Sequence, residues 1–519
     1  MEEPCYTCRR RRIRCDQSQS PCVKCATSGY QCFASRPLRW VKGLAIRGKL
    51  RGVSLATDSA SPASPAKKAK SRKESDSRDS SFAPATESAL SVVRSPEGHV
   101  APLEPLISIP STIGDFAASN LDAVSRYYLD YYNESICGLF IVYDSDRNPL
   151  RALMSLALLD HTLLKSVLAL AARHRVNRHC SFHDLTIKAS SDQMIANADA
   201  LRFKYQAIQG IAQALGDATS RNKDTTVASI FLLVFLDLLE SGSDRWNVHL
   251  EGAKRLMEPS TPDSQAVSWH DSGQTIEDLR NFLASQIYSI ETLGGTFVRP
   301  KLLSQFNLLE GPQFQETVEQ SFLGCPEYLL DAIRYLSARR DTIASSECHD
   351  DSTWSYFIQD TMSMIDFIQQ FDCSVWASSL PYLGTVPPRG TSSLCTLAQS
   401  YKIGALIYGK RVLGALTKEY LPLEDLVQEL LATIESLQND ETLYKCILWP
   451  IIIAGLECQR QEQRESVRTY MESFWEHTKC VNVINASKII EDRWQRCDGT
   501  EPSHWIFSIG HLGRDWLLI

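Results

Sequence analysis

The chain has 519 residues, 44% of them hydrophobic and 22% charged, which is enough apolar content for a true core and excludes a wholly disordered polyelectrolyte. Its net charge of −7 is unevenly shared: residues 1–52 carry 12 Lys and Arg against 3 Asp and Glu, and the remainder carries 42 against 58. A basic head on an acidic body confines any polyanion-binding role to the head. The longest apolar stretches, Val227–Leu236 and Ile447–Leu456, are ten residues each, far short of the ~20 needed to cross a bilayer. With a charged, cysteine-rich beginning and no apolar signal region, a soluble intracellular protein with reduced thiols is expected.

The chain opens on Cys5, Cys8, Cys15, Cys22, Cys25 and Cys32, two C-x2-C-x6-C halves in 28 residues. Two residues between cysteines let both sulfurs of one turn face the same metal, and six more form a short helix that returns the third. Zinc favours four thiolates in a tetrahedron, so six cysteines satisfy two zinc ions only if two sulfurs are shared. A segment this short has no hydrophobic core, and bound metal must supply its folding energy. A disulfide knot would suit the same even count in a secreted chain, but the basic run Arg9-Arg10-Arg11-Arg12-Ile13-Arg14 between the second and third cysteines argues for another use. Arginine donates two hydrogen bonds to guanine O6 and N7, which suits a G-rich site. Arg9, Arg10, Arg14 and Lys24 suit phosphates, which position without specifying. The same run also reads as a nuclear import signal or a solvated basic patch.

These residues resemble the fungal zinc binuclear cluster (Zn2Cys6) transcription factors. The resemblance implies that Cys5 and Cys22 bridge the two ions. One zinc would then take Cys5, Cys8, Cys15 and Cys22, and the other Cys5, Cys22, Cys25 and Cys32. It also implies that the helix begun by the basic run enters the major groove over a CGG triplet, with Arg11 and Arg12 at the base-reading places. Arg12 stands where relatives commonly carry lysine, and Pro21 matches the family's proline in the loop joining the halves.

Beyond Cys32 a basic stretch with glycines at 43, 48 and 52 reads as an arm following the DNA backbone. Residues 33–110 sustain no apolar heptad, so the dimerising coiled coil that many relatives place there is not expected, and either a dimer forms through the body or the protein binds as a monomer. Residues 53–110, rich in Ser, Pro, Ala and Lys, read as a disordered linker. Within it Lys67–Lys73 resembles an import signal, and Ser61, Ser64 and Ser95 each precede proline.

From about residue 111 helical periodicity takes over. Leu121, Val124, Tyr128, Tyr131 and Tyr132 form a stripe, and Asn148-Pro149 is a cap followed by a first-turn proline. Leu163–Ala171 continues as a second helix, and Thr225–Leu239 is apolar nearly all round, the mark of a buried helix. Further helices are expected at 277–293, 325–338, 355–370, 396–416, 424–438, 443–458 and 462–479. The segments Leu159–His174, Leu236–Met257 and Leu448–Glu457 resemble the second fungal-specific transcription factor regulatory domain family, which implies an all-α regulatory and interaction region.

Catalytic readings are weak. His174, His179, Cys180 and His183 lie close in sequence, but their spacings do not share one helical face. Gly242-Ser243 has no nucleophile-elbow pattern, and Leu293-Gly294-Gly295-Thr296 lacks a P-loop lysine. The terminal stretch His511–Ile519 reads as a segment packed on the body, with a co-activator contact as the other reading.

The expected architecture is thus a small zinc-nucleated module of two short helices at 1–36, an arm and disordered linker at 37–110, and a large all-α regulatory domain at 111–519. The expected function is a nuclear, zinc-dependent, sequence-specific DNA-binding transcription factor of RNA polymerase II genes, not an enzyme. It would work with two Zn2+ ions, double-stranded DNA, co-regulators and a second copy bound through the body, and control a metabolic or secondary-metabolite gene set. The rival reading is a zinc-containing nuclear scaffold that does not read DNA.

Overall fold

The computed structural model describes residues 4–11, 13–16, 22–28, 32, 121–145, 148–187, 191–243, 245–257, 274–298, 321–345, 351–380, 388–497, 505–508 and 515–519. Arg12, Pro21, the arm, the linker with Lys67–Lys73, and Ser61, Ser64 and Ser95 lie outside the described residues. The chain divides into two compact units, Met1–Leu103 and Glu104–Ile519. Among the described residues there is no β-strand, only two isolated bridges.

In the first unit the described helices are α1 (Tyr6–Arg10) and α2 (Val23–Thr27), five residues each. The described residues of the second unit form helices and their connections. Asp122 caps α3 (Ala123–Tyr131), its carboxylate accepting from the Ser125 N–H at 2.9 Å, and a π-helical turn (Tyr132–Ile136) prolongs it. Asn148 caps α4 (Pro149–Ala157) through the Leu150 N–H, with proline in the first turn as the dipeptide predicts. Asp160 caps α5 (His161–Asn177) and also accepts from the Thr225 hydroxyl at 2.7 Å, fastening two helices with one carboxylate.

Next come α6 (Ser191–Gly216), α7 (Asp224–Glu240) and α8 (Trp246–Met257). Every residue from Thr226 to Leu239 is buried, so α7 is the central helix its sequence predicts. The chain turns after it at Gly242, whose φ of +64° suits glycine; a Cβ there would sit 2.5 Å from Cβ of Asn482. The remaining described helices are α9 (Gln274–Gly295), α10 (Glu327–Ala344), α11 (Asp351–Gln370), α12 (Cys373–Ser379), α13 (Pro388–Thr417), α14 (Glu424–Leu437), α15 (Glu441–Tyr444), α16 (Leu448–Glu457), α17 (Gln461–Thr478), α18 (Asn482–Cys497) and α19 (Trp505–Ser508).

Two differences from the sequence reading have physical causes. The single helix expected over 443–458 is two, α15 and α16, because Pro450 has no N–H to donate and its ring clashes with the carbonyl four residues back, so the helix restarts just before it. The helices α6, α8, α12, α18 and α19 have no counterpart among the expected ones; in α6 apolar residues on two faces blur the single row by which a helix is recognised.

The long α13 packs against α10, α11, α12 and α14, and α16 sits against α13, α14, α17 and α18. Phe140 and Phe235 stack at 4.2 Å between ring centroids, and Tyr401 stacks on Trp449 in the same core. Arg411 and Glu457 form a fully buried ion pair, to which the Trp505 indole N–H donates at 2.6 Å. Leu517, Leu518 and Ile519 are buried, the Trp246 indole N–H donates to the Asp515 carbonyl at 3.0 Å, and the Asn482 amide donates to the Ile519 carbonyl. These residues are therefore core, in line with the packed reading of this segment.

Candidate metal centre and nucleic-acid interface

The two halves of the cysteine motif fold alike. Cys5 precedes α1 with φ −59° and ψ 149°, and Cys22 precedes α2 with φ −65° and ψ 150°. Each thus takes the extended N-cap conformation, and one helical turn later Cys8 and Cys25 point to the same side as their caps. The Cys8 N–H donates to Cys5 Sγ at 3.3 Å, so the first sulfur also caps its own helix. Cys5, Cys8, Cys22 and Cys25 are almost fully buried, and Cys15 and Cys32 pack against them half-buried. In so small a unit these thiols are the core.

The sulfurs gather in two sets, Cys5, Cys8, Cys15 and Cys22, and Cys5, Cys22, Cys25 and Cys32, with all four ligand atoms of each set within 4.8 Å of one another. Cys5 and Cys22 belong to both. Their sulfurs are 3.8 Å apart, Cys5 to Cys25 is 3.8 Å and Cys8 to Cys22 is 3.7 Å. Zinc–thiolate bonds of about 2.3 Å at tetrahedral angles imply sulfur–sulfur edges of about 3.8 Å, so the donor set fits zinc. Cys8 and Cys25, which fall in different sets, also approach to 3.7 Å.

Burial is the largest single influence on the Cys5 thiol and opposes ionisation. The Cys8 N–H and the thiols of Cys8, Cys32 and Cys25 together outweigh it and hold Cys5 below its ordinary value. Burial pushes Cys8 well up and Cys25 up to about 12. Binding metal must displace those protons, which ties metal affinity to pH.

Arg9 lies on α1, Arg11 follows directly after it and Arg14 lies beyond, all exposed. Arg10 ends α1, and Lys24 is exposed in α2. The basic side chains described here therefore stand outside a sulfur core, available to a polyanion. Asp16 is a contributor that the sequence reading passed over. Its carboxylate accepts from the backbone N–H groups of Val23 at 3.0 Å and Lys24 at 3.3 Å, capping α2 from the opposite half of the motif. Six residues separate it from the helix it caps, so no local pattern reveals it.

The body's sequence candidates do not converge. His174 is buried with Nδ1 2.9 Å from the Tyr131 hydroxyl, His179 lies beside Arg175, Cys180 donates to the Val176 carbonyl, and His183 meets Glu472. Among the described residues, the two cysteine sets are the groups of three or more able to hold a metal. Thr296, in the Gly294-Gly295-Thr296 stretch, bonds the Leu293 carbonyl and receives the Trp449 indole N–H, which makes it a core residue. No helix is long and apolar enough to cross a membrane among the described residues.

Comparison with known proteins agrees with this geometry. The fungal Zn(2)-Cys(6) binuclear cluster domain matches residues 3–41, and the fungal specific transcription factor domain matches residues 127–519. The acriflavine sensitivity control protein acr-2 of Neurospora crassa is 23% identical over 577 aligned residues, covering 97% of this chain and 94% of that protein. No solved structure matches the chain. The cluster family binds two zinc ions through six cysteines, and the larger family consists of transcription regulators rather than enzymes and implies a nuclear protein. With its sulfur core, exposed arginines and all-helical body, this chain belongs to the fungal specific transcription factors that carry a Zn(2)-Cys(6) binuclear cluster, and is a zinc-dependent, DNA-binding regulator of transcription.

Proposed function

We propose that the protein reads CGG-type triplets in the major groove of RNA polymerase II promoters. The observation that carries this reading is the placement of Arg9, Arg11 and Arg14, exposed on and after a helix whose cap and first turn belong to the sulfur core. One zinc is held by Cys5, Cys8, Cys15 and Cys22, the other by Cys5, Cys22, Cys25 and Cys32. The bound ions supply the folding energy that a core of this size lacks. Arg11 and Arg12 read guanine edges, and Arg9, Arg10, Arg14 and Lys24 hold phosphates.

In the same reading residues 1–36 form the DNA-binding domain, 37–110 the arm and linker, and 111–519 the regulatory domain. The protein acts in the nucleus as a homodimer joined through its helical body and recruits co-regulators. Likeness to the regulatory domain family supports a metabolic or secondary-metabolite gene set. Selection from random duplex DNA by the zinc-loaded full chain at physiological salt tests it. Enrichment of CGG triplets is expected, paired at a fixed spacing. Recovery of bound DNA without any common triplet would sink the base-reading role and leave phosphate attraction alone.

A further inference from the structure

The 26-residue helix α6 has two apolar faces. Its inner face, with Ala196, Ala200, Phe203, Ala207 and Ile211, is buried and packs on α5 and α7. Gly210 lets it come close: a Cβ there would stand 2.5 Å from the Thr162 hydroxyl oxygen. The outer face is exposed and also apolar. Met194, Leu201, Ile208 and Leu215 recur every seven residues, with Ala198, Tyr205 and Ala212 interleaved three residues ahead of the last three. Exposures of 57% at Met194, 58% at Leu201 and 68% at Tyr205, falling to 40% at Ile208 and 38% at Leu215, leave the row open to solvent among the described residues. Alternating steps of four and three make a complete coiled-coil seam, with the alanines and Tyr205 at a and the larger aliphatic residues at d.

We propose that this seam is the homodimer interface, closed by α6 of a second copy running antiparallel. The homodimer itself belongs to the reading above; the surface and its geometry are the addition. Side-chain size selects both the occupant and the direction. In a parallel pair a meets a, so Ala198 faces Ala198, Ala212 faces Ala212 and Tyr205 collides with Tyr205, leaving two thin layers around an overfilled one. In an antiparallel pair a meets d. Ala198 then faces Leu215, Leu201 faces Ala212 and Tyr205 faces Ile208, each repeated by symmetry, so that small opposes large in four of six layers. The sequence of α6 is complementary to itself reversed, which is what a two-fold interface requires.

The flanks allow it. Arg202 pairs with Asp199 at 2.7 Å on its own helix, and Lys204 is engaged by Glu240, so neither presents an uncompensated charge to its copy. Antiparallel helix dipoles add a favourable term.

Light scattering on the full chain, free of DNA and across a dilution series, tests the proposal. A mass of two chains is expected, falling by half in Leu201→Asp/Ile208→Asp with the helical circular dichroism unchanged, since both side chains lie on the open face of the single subunit. A photoreactive residue at Ala198 should cross-link the peptide holding Leu215 of the other copy. A dimer that survives the double substitution overturns this interface while leaving the homodimer reading in place. A monomer at every concentration overturns both and points to another segment of the chain over the seam. Cross-linking of 198 to 198 overturns the antiparallel geometry. None of these readouts depends on which triplet the cluster recognises.

Discussion

Cys5 and Cys22, seventeen residues apart in sequence, place their sulfurs 3.8 Å from one another while each stands as the N-cap of its own short helix. The two helices are therefore coupled through the residues that start them. Removing either sulfur removes a member of both four-sulfur sets at once. Cys22→Ser should accordingly lose both zinc ions, together with sequence-specific DNA binding, whereas Cys32→Ser should retain part of its zinc. Elemental analysis of the purified chains checks this. Two zincs per chain in Cys22→Ser would exclude its bridging role.

Arg11 follows α1 and is exposed, as is Arg9 two residues earlier. Loss of a bidentate guanine contact costs about 1–3 kcal/mol and relaxes base preference, whereas loss of a phosphate contact weakens all sequences alike and lowers the salt slope by about 1. Arg11→Ala is expected to behave in the first way and Arg9→Ala in the second. Titration of matched and mismatched duplexes at several salt concentrations separates them.

Asp16 stabilises α2 through the N–H groups of Val23 and Lys24. Asp16→Ala should cost about 1 kcal/mol, the usual value of an N-cap, and Asp16→Asn much less. The difference would be read as earlier release of zinc to a competing chelator in the alanine variant. Equal release from both variants would show that the cap contributes nothing.

In the body, Arg411 donates to Glu457 through Nε at 2.6 Å and through Nη2, with both side chains almost fully buried. Glu457→Gln leaves the guanidinium without its counter-charge, a loss of about 3–5 kcal/mol. A double replacement by apolar residues, Arg411→Met/Glu457→Leu, should recover much of it. Chemical denaturation of the three chains is the measurement, and a double variant no better than the single would count against the charge argument.

A buried and a partly buried imidazole set a pH limit. His174 and His249 are each pushed down to about 4, first by burial, then by Arg178 beside His174 and by Lys204 and Arg245 beside His249. An unfolded histidine titrates near 6.5, so below that pH the unfolded chain takes up protons that the folded one refuses. Stability is thus intact above pH 6.5 and falls as pH drops toward 4, by roughly 1–2 kcal/mol per histidine at pH 5. Urea midpoints between pH 7 and 5 should decline, and less steeply in His249→Gln. A flat profile would contradict the burial argument.

The sequence by itself determined the cluster, because metal chemistry is local: six thiols at fixed spacing can meet only in a few ways, and a basic run between two of them has few other uses. It also determined that the body is helical and that Thr225–Leu239 lies at its centre, since a helix apolar on every side has no stable place at a surface. The Asn148 cap was readable because an asparagine followed by proline is a local helix-start signal. Tertiary structure alone decided the rest. Asp16 caps a helix from the other half of the motif, and Arg411 finds Glu457 across 46 residues, because hydrogen bonds and ion pairs depend on distance in space. The histidines close in sequence part company because only His174 lies on α5, while His179 and His183 fall in the turn beyond its end. The helix α6 shows the difference most clearly. Its apolar residues point both ways and blur the periodicity of the sequence, and only the packed body separates the face that belongs to the core from the face left open.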